Sequence, residues 1–84
     1  MPSSIHSTVY RELIEFLIEA RNSAGLNQQT VADSLGRPQS YLAKVEGFER
    51  RLDVVEYLEF AKAVEANPIS AIKTAWTQIF GEAK

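Results

Sequence analysis

The chain has 84 residues, a formal net charge of −2, no cysteine and one histidine. This length fits one small domain, so we expect residues 1–84 to fold as a single unit with no room for an effector domain. The lack of cysteine excludes a disulfide framework, a thiolate zinc site and a cysteine nucleophile. His6 has no visible ligand partners, and so short a helical chain offers little wall for a catalytic cleft. We therefore expect neither an enzyme nor a bound metal or cofactor.

Secretion and membrane association are not expected either. Residues 1–8 lack a basic region followed by an apolar run, so they do not resemble a signal peptide. Charged residues interrupt the longest apolar stretches, which excludes a membrane-spanning segment. These features predict a cytoplasmic protein. Its basic residues are concentrated in the middle, because Gln28 to Arg51 carries four basic and three acidic residues, a net charge of +1 that leaves −3 for the rest.

Capping residues divide the chain into helices. Each glycine directly follows a stretch with helical periodicity, where a left-handed C-terminal cap is expected: Gly25, Gly36, Gly47 and Gly81. The prolines at positions 38 and 68 suit the first position of a helix. N-caps are predicted at Asn27, at Asn67 and at Asp53, where Glu56 completes a capping box. These signals predict an all-α protein with helices at residues 7–24, 28–35, 38–46, 53–66 and 68–80.

Apolar residues recur at steps of three and four, which predicts one buried face on each of the long helices. On the first helix this face comprises Leu13, Phe16, Leu17, Ala20 and Ala24, and on the fourth it comprises Val54, Leu58, Ala61 and Val64. Three glutamates, Glu12, Glu15 and Glu19, share another face of the first helix. A solvated surface explains them more simply than a metal or acid–base site does.

The second and third predicted helices are short and are separated by only Gly36 and Arg37. Two helices joined by such a tight, glycine-containing turn form a helix-turn-helix unit, whose second helix can enter the major groove of DNA. The apolar residues expected to face the core from this unit are Val31, Ala32, Leu35, Leu42 and Val45.

A set of positions spanning roughly Leu13 to Ala66 falls in one register: Arg21, Ala24-Gly25-Leu26-Asn27-Gln28, Val31-Ala32, Leu35-Gly36, Gln39-Ser40, Lys44-Val45-Glu46 and Arg50-Arg51-Leu52-Asp53. In this register the chain resembles the Cro and phage-repressor type of helix-turn-helix regulators, the XRE family. The resemblance implies a compact five-helix bundle of the lambda-repressor-like type. It also implies a sequence-specific regulator of transcription that binds double-stranded DNA.

The resemblance assigns DNA contacts to the third helix and its surroundings. Gln39, Ser40 and Lys44 correspond to base-reading positions; glutamine can pair with adenine N6 and N7, and lysine can donate to guanine O6 and N7. The positions implied to contact phosphates are Gln28, Arg37, Tyr41, Arg50 and Arg51. Each also has a simpler interpretation, which is solvent exposure for the polar residues and packing at the edge of the core for Tyr41.

The resemblance also pairs Arg21 with Glu46 in an ion pair between the first and third helices. Charge reversal of either partner is expected to cost several kcal/mol and to cause misfolding, because it leaves a poorly solvated charge uncompensated. The sequence departs from the family pattern in three places. Arg37 stands at an often apolar position, Pro38 replaces the usual Ser or Thr cap, and the Gly47-Phe48 pair reverses the usual order. If the Phe48 ring is exposed, it indicates a contact with another protein; if it is buried, it anchors the loop that follows.

Large apolar residues recur on one side of the last predicted helix: Ile69, Ile72, Trp76, Ile79 and Phe80. They either pack on the first helix and close the core or form a two-fold dimer interface, and both can hold together. We expect a homodimer, because a two-fold dimer presents two recognition helices about one DNA turn apart. The residues expected at its seam are Ile72, Trp76, Ile79 and Phe80.

The sequence thus predicts a small repressor that blocks promoter access. Phage-like regulators, restriction-modification controllers and antitoxins resemble it equally. The alternative is a protein-interaction module, or an antitoxin-type partner protein, that keeps the fold but not the DNA. The two functions differ in one measurable property, because only DNA binding is expected to weaken steeply with salt.

Overall fold

The computed structural model describes the backbone of residues 2–81 and the side chains of residues 8–81, so the side chain of His6 lies outside the described residues. Residues 2–81 form helices and no strand, which confirms the all-α prediction. The helices are α1 (Pro2–Ser23), α2 (Gln28–Leu35), α3 (Gln39–Glu46), α4 (Val54–Ala63) and α5 (Pro68–Phe80). Within these residues, no helix is both long and apolar enough to cross a bilayer.

The predicted N-caps of α2, α4 and α5 are confirmed. Asn27 accepts a hydrogen bond from the backbone N–H of Thr30, and Asn67 accepts one from Ile69. Asp53 and Glu56 form the full capping box, each side chain accepting from the other's backbone N–H. The proline prediction is half right. Pro68 is the first residue of α5, whereas Pro38 is the N-cap of α3 with φ −68° and ψ 154° and makes no side-chain capping bond.

The glycine prediction fails at the end of α3. Gly36 ends α2 in the left-handed conformation, φ 68°, as expected, but Gly47 has φ −86°. The left-handed residue after α3 is Phe48, with φ 63°, and the one after α4 is Glu65, with φ 60°. Both turns close with the long backbone bond of a Schellman motif, from Glu49 N to Lys44 O and from Ala66 N to Ala61 O. At the ends of α3 and α4, non-glycine residues therefore adopt the left-handed conformation, which is strained for them. The turn at Glu65 also ends α4 at residue 63 instead of the predicted 66.

The core lies where α1 to α4 meet. Its fully buried side chains include Ile14 and Leu17 of α1, Val31 of α2, Leu42 and Val45 of α3 and Phe60 of α4. Burying each of the larger ones contributes about 1.5–3 kcal/mol to folding. The predicted core positions of the helix-turn-helix are confirmed, with Leu35 partly buried and the other four buried. α2 and α3 are thereby held as one unit against α1 and α4.

The predicted inner face of α4 is wrong in part. Ala61 and Val64 are buried as expected, but Val54 is 74% exposed and Leu58 45%. The core instead takes Tyr57 and Phe60, which lie on a neighbouring stripe of the same helix. α4 carries two overlapping apolar stripes, and contact with the other helices selects the one that bears the aromatic rings. On the predicted face of the first helix, Ala24 is likewise exposed and lies just beyond the end of α1, while Ile14, absent from that face, is buried.

The last helix packs on α1, and its large apolar residues are only partly covered there. Ile72, Trp76, Ile79 and Phe80 line a cavity with residues of α1 and stay 36–66% exposed. Ala75 is buried, and Ala71 and Ala75 line the groove that α5 forms with α1. At the rim of this contact, the Gln78 side chain donates a hydrogen bond of 2.6 Å to Glu12. Alanines therefore lie deepest in the α1–α5 contact, while the large residues of the predicted stripe border α1 and keep much of their surface exposed.

Candidate nucleic-acid interface

The candidate reading face is the side of α3 that points away from the core. Gln39, Ser40 and Lys44 are exposed, whereas Tyr41, Leu42 and Val45 are buried. An α-helix turns about 100° per residue, so the three exposed residues share one side of the helix and the three buried residues share the opposite side. The turn before α3 contains Gly36, Arg37 and Pro38, and it presents the first residues of α3 at the surface.

A chain of side-chain hydrogen bonds connects this face to the interior. The Gln39 amide nitrogen donates to Gln28 Oε1 at 2.6 Å, and the Gln28 amide nitrogen donates to Glu46 Oε1 at 2.9 Å. Glu46 also accepts two bonds from Arg21, one from Nε at 2.7 Å and one from Nη2 at 2.8 Å. The Gln39 amide is therefore linked through Gln28 of α2 to Glu46 at the end of α3 and to Arg21 of α1.

The hydrogen bond to Gln28 leaves a defined set of groups free on Gln39. A glutamine amide carries two N–H donors and one carbonyl oxygen, and here one N–H is used by Gln28. The second N–H and the oxygen remain available to another ligand. Adenine presents an acceptor at N7 and a donor at N6 in the major groove, so the two remaining groups match its edge.

The Arg21–Glu46 ion pair is largely removed from solvent, with side-chain exposures of 11% and 7%. Its two parallel bonds are the bidentate geometry that arginine makes with carboxylates. Arg21 also donates through Nη1 to the carbonyl oxygen of Leu26, at 2.9 Å. The pair thus joins α1, the turn before α2 and the end of α3.

A second cluster surrounds Tyr41. The guanidinium groups of Arg37 and Arg50 lie over its ring, at 4.5 Å and 4.7 Å from the centroid. Both arginines also bond to Glu56, Arg37 at 3.3 Å and Arg50 through two bonds of 3.0 Å and 3.1 Å. The ring of Tyr41 is buried, so packing at the core edge is the interpretation that the structure supports, and burial raises the pKa of its hydroxyl. Tyr41 serves as a platform for two cations.

The sequence predicted Glu56 only as part of the capping box. The structure shows that Glu56 also binds both arginines of this cluster. Hydrogen bonds from Arg50, and then from the Asp53 backbone, lower the pKa of Glu56 from 4.5 to about 2. The carboxylate is therefore charged at neutral pH and neutralises one of the two arginines. Arg37 and Arg50 together keep one net positive charge beside the start of α3.

Large exposed apolar residues occur on both α4 and α5. Trp76 is 60% exposed and stacks on Phe80 with ring centroids 4.7 Å apart. Val54 of α4 and Ile72 of α5 line the same cavity, so the two helices share the surface. Its large members are Val54, Val55, Leu58, Ile69, Ile72, Trp76, Ile79 and Phe80. We call this set the α4–α5 apolar surface. It contains the predicted dimer residues of α5 and adds residues of α4.

These features define a helix-turn-helix protein, in which α3 exposes polar side chains and a partly buried ion pair ties the unit to α1. In comparisons with known proteins, the chain is similar in sequence and structure to an XRE-family like protein from Pseudomonas syringae pv. tomato str. DC3000. The two are 40% identical, with a TM-score of 0.82, over 87% of this chain and 89% of the other. No protein-family model and no curated protein matches the chain. The chain belongs to the XRE family of helix-turn-helix regulators.

Proposed function

We propose that the protein is a sequence-specific regulator of transcription that binds double-stranded DNA through α3, as a small dimeric repressor. The observation that carries this proposal is the position of Gln39 at the exposed start of α3. Its amide donates to Gln28, which in turn donates to Glu46, and its second N–H and oxygen remain for the edge of a base. This hydrogen bond favours one orientation of the Gln39 side chain before DNA binds.

The neighbouring residues support the same function. Lys44 is exposed one turn after Ser40 and can donate to guanine or to a phosphate. Gln28 keeps a second N–H for a phosphate oxygen, near the N-terminus of α2, where backbone N–H groups favour anions. Arg37, Arg50 and Arg51 flank α3 and extend the positive potential along the phosphate backbone. The phosphate contacts of these residues, and of Tyr41 through its hydroxyl, are part of the proposal.

Selection of randomised duplex DNA on the purified protein, at two salt concentrations, tests the proposal. We expect enrichment of a two-fold symmetric site with half-sites about 10 base pairs apart. Gln39→Ala should lose the preference for adenine at one position of each half-site. Gln78→Ala, which removes a glutamine that bonds to Glu12 on α1, is the matched control and should select the wild-type sequence. Absence of enrichment at low salt would overturn the proposal.

The α4–α5 apolar surface supports the dimer. Its eight large side chains are each at least 36% exposed. Exposed apolar residues grouped on one side of a small protein are typical of a protein interface. A second copy of the chain is the partner that we propose, because a two-fold arrangement buries the same surface on both copies and doubles the phosphate contacts of an acidic monomer.

The same surface also favours a second candidate function, a protein-interaction module of the antitoxin type. In that case a different protein covers the α4–α5 apolar surface, and α3 does not read DNA. The two functions are separated by the salt dependence of binding: DNA binding falls steeply as salt rises, whereas docking on an apolar surface does not.

A further inference from the structure

We propose that Arg11 and Arg51 form a second phosphate-binding site, which holds the DNA backbone beyond the reach of α3. The proposal rests on the DNA-binding function proposed above. Arg11 lies on α1, outside the helix-turn-helix. Tyr10, Arg11, Phe48 and Arg51 line one cavity of about 150 Å³, which we call the Arg11–Arg51 pocket.

Two arginine–aromatic contacts build the pocket. The Arg11 guanidinium lies 4.0 Å from the centroid of the Phe48 ring, and the Arg51 guanidinium lies 4.4 Å from that of Tyr10. Each contact thus joins α1 to the segment between α3 and α4. The Tyr10 hydroxyl also accepts a hydrogen bond of 3.0 Å from the backbone N–H of Leu52, which fixes this segment against α1.

The left-handed turn at the end of α3 belongs to the same arrangement. Phe48 adopts φ 63°, a conformation that costs a non-glycine residue energy and that Gly47, one position earlier, does not take. The Phe48 ring is partly buried against the core and carries Arg11 on its face. Phe48 therefore anchors the loop, and its ring positions a cation.

Arg11 and Arg51 differ from the other described arginines in their partners. Arg21 is paired with Glu46, and Arg37 and Arg50 are paired with Glu56. Among the described residues, no carboxylate lies within 4.0 Å of the Arg11 or Arg51 guanidinium, and both side chains are exposed. A guanidinium stacked on a ring keeps the N–H donors at its edge for another ligand. The pocket thus offers two oriented, uncompensated cations, which suit a phosphate group.

The position of the pocket identifies the source of the phosphate. Arg50 donates to the carbonyl oxygen of Arg51 at 3.0 Å and lies over Tyr41 in the first turn of α3. The arginines therefore continue from the start of α3, through Arg50 and Arg51, to Arg11 on α1. Each DNA strand carries one phosphate per about 3.4 Å of helix axis, so a duplex seated on α3 supplies a regular row of anions to such a series. We assign the pocket to the DNA backbone rather than to a free phosphate.

The test compares wild-type protein with Arg11→Gln, using a duplex that wild-type protein selects. We expect Arg11→Gln to bind more weakly, with the slope of log K against log salt reduced by about 0.9 for each phosphate that the variant no longer neutralises. Base preference should not change. Arg11→Lys, which keeps the charge, should retain most of the wild-type slope. Lys62→Gln removes one exposed positive charge on α4 and should leave the slope unchanged. An unchanged slope in Arg11→Gln would overturn this inference and leave the proposed function standing.

The NMR signals of the arginine Nε–H groups distinguish the two sources of phosphate. We expect the Arg11 and Arg51 signals to shift when the duplex is added and to stay unchanged with millimolar inorganic phosphate. Shifts with inorganic phosphate, together with an unchanged salt slope in Arg11→Gln, would assign the pocket to a free anion and overturn the inference. A wild-type protein that enriches no duplex would instead refute the proposed function itself.

Discussion

The Arg21–Glu46 ion pair gives the sharpest test of how this fold is held together. Arg21→Met removes the charge while keeping an unbranched side chain on α1. Glu46, 7% exposed, would then retain only the hydrogen bond from Gln28. Breaking a fully buried pair typically costs about 3–5 kcal/mol, because the remaining charge is neither solvated nor compensated. This pair is partly buried, so we expect a cost at or below the lower end of that range. The Leu26 carbonyl would also lose its bond from Arg21.

The expected cost of Arg21→Met is a large part of the total unfolding free energy. At about 0.05–0.15 kcal/mol per residue, a chain of this size has an unfolding free energy of about 4–12 kcal/mol. Urea unfolding followed by circular dichroism, at one fixed protein concentration, measures the difference. We expect the midpoint of Arg21→Met to fall sharply with the slope unchanged, and charge reversal of Arg21 to leave little folded protein.

A double variant separates the loss of the pair from the loss of packing. Arg21→Met with Glu46→Leu removes both charges and leaves no uncompensated one, so it should be more stable than Arg21→Met alone. The reasoning fails if Arg21→Met costs less than about 1 kcal/mol, a value typical of exposed ion pairs. It also fails if the double variant is less stable than either single variant, because packing would then outweigh charge.

Three further predictions concern α4 and α5. The pKa of Glu56 is lowered to about 2, so its contribution to stability is present above about pH 4.5 and is lost as the pH falls toward 2. The difference in unfolding temperature between wild type and Glu56→Gln should therefore shrink on acidification over that range, and a constant difference would contradict this. Asp53→Ala removes the capping box and should cost about 1 kcal/mol in urea unfolding. A cost near zero would show that α4 does not depend on its cap. Trp76→Glu places a charge in the α4–α5 apolar surface and should convert a dimer to a monomer at micromolar concentration in analytical ultracentrifugation. A Trp76→Glu variant that stays fully dimeric would place the seam elsewhere.

Local signals predicted α2 and its ends correctly because its caps act within one turn. Asn27 binds the N–H three residues later, and Gly36 takes a left-handed conformation that glycine adopts without strain. Such interactions depend on neighbours in the chain, so the sequence contains all the information that they need. The same holds for the capping box at Asp53 and Glu56 and for Pro68 at the start of α5.

The end of α3 shows where local signals are insufficient. Glycine is the better residue for a left-handed cap, but Gly47 does not take that position and Phe48 does. The turn is fixed by packing of the Phe48 ring against the core and against Arg11, whose position in the sequence is remote. A tertiary contact can outweigh a local preference of about 1 kcal/mol, and the sequence does not reveal that contact.

For the candidate site, the family register placed Gln39, Ser40 and Lys44 on α3, and the structure leaves all three at the surface. The hydrogen bonds that orient Gln39 depend on the distance between the starts of α2 and α3, which only the packing of the two helices sets. The pairing of Arg37 and Arg50 with one carboxylate depends on tertiary structure for the same reason.

The sequence by itself determined the all-α class, the helix-turn-helix and most helix starts, because periodicity and capping are properties of neighbouring residues. Only the tertiary structure decided which of two apolar stripes of α4 is buried, and that an alanine, Ala75, is the residue of α5 that becomes buried. These choices depend on how well surfaces from distant parts of the chain fit together. Packing therefore leaves the large side chains of α5 exposed beside Val54 and Leu58, and it brings Arg11 to the loop that follows α3.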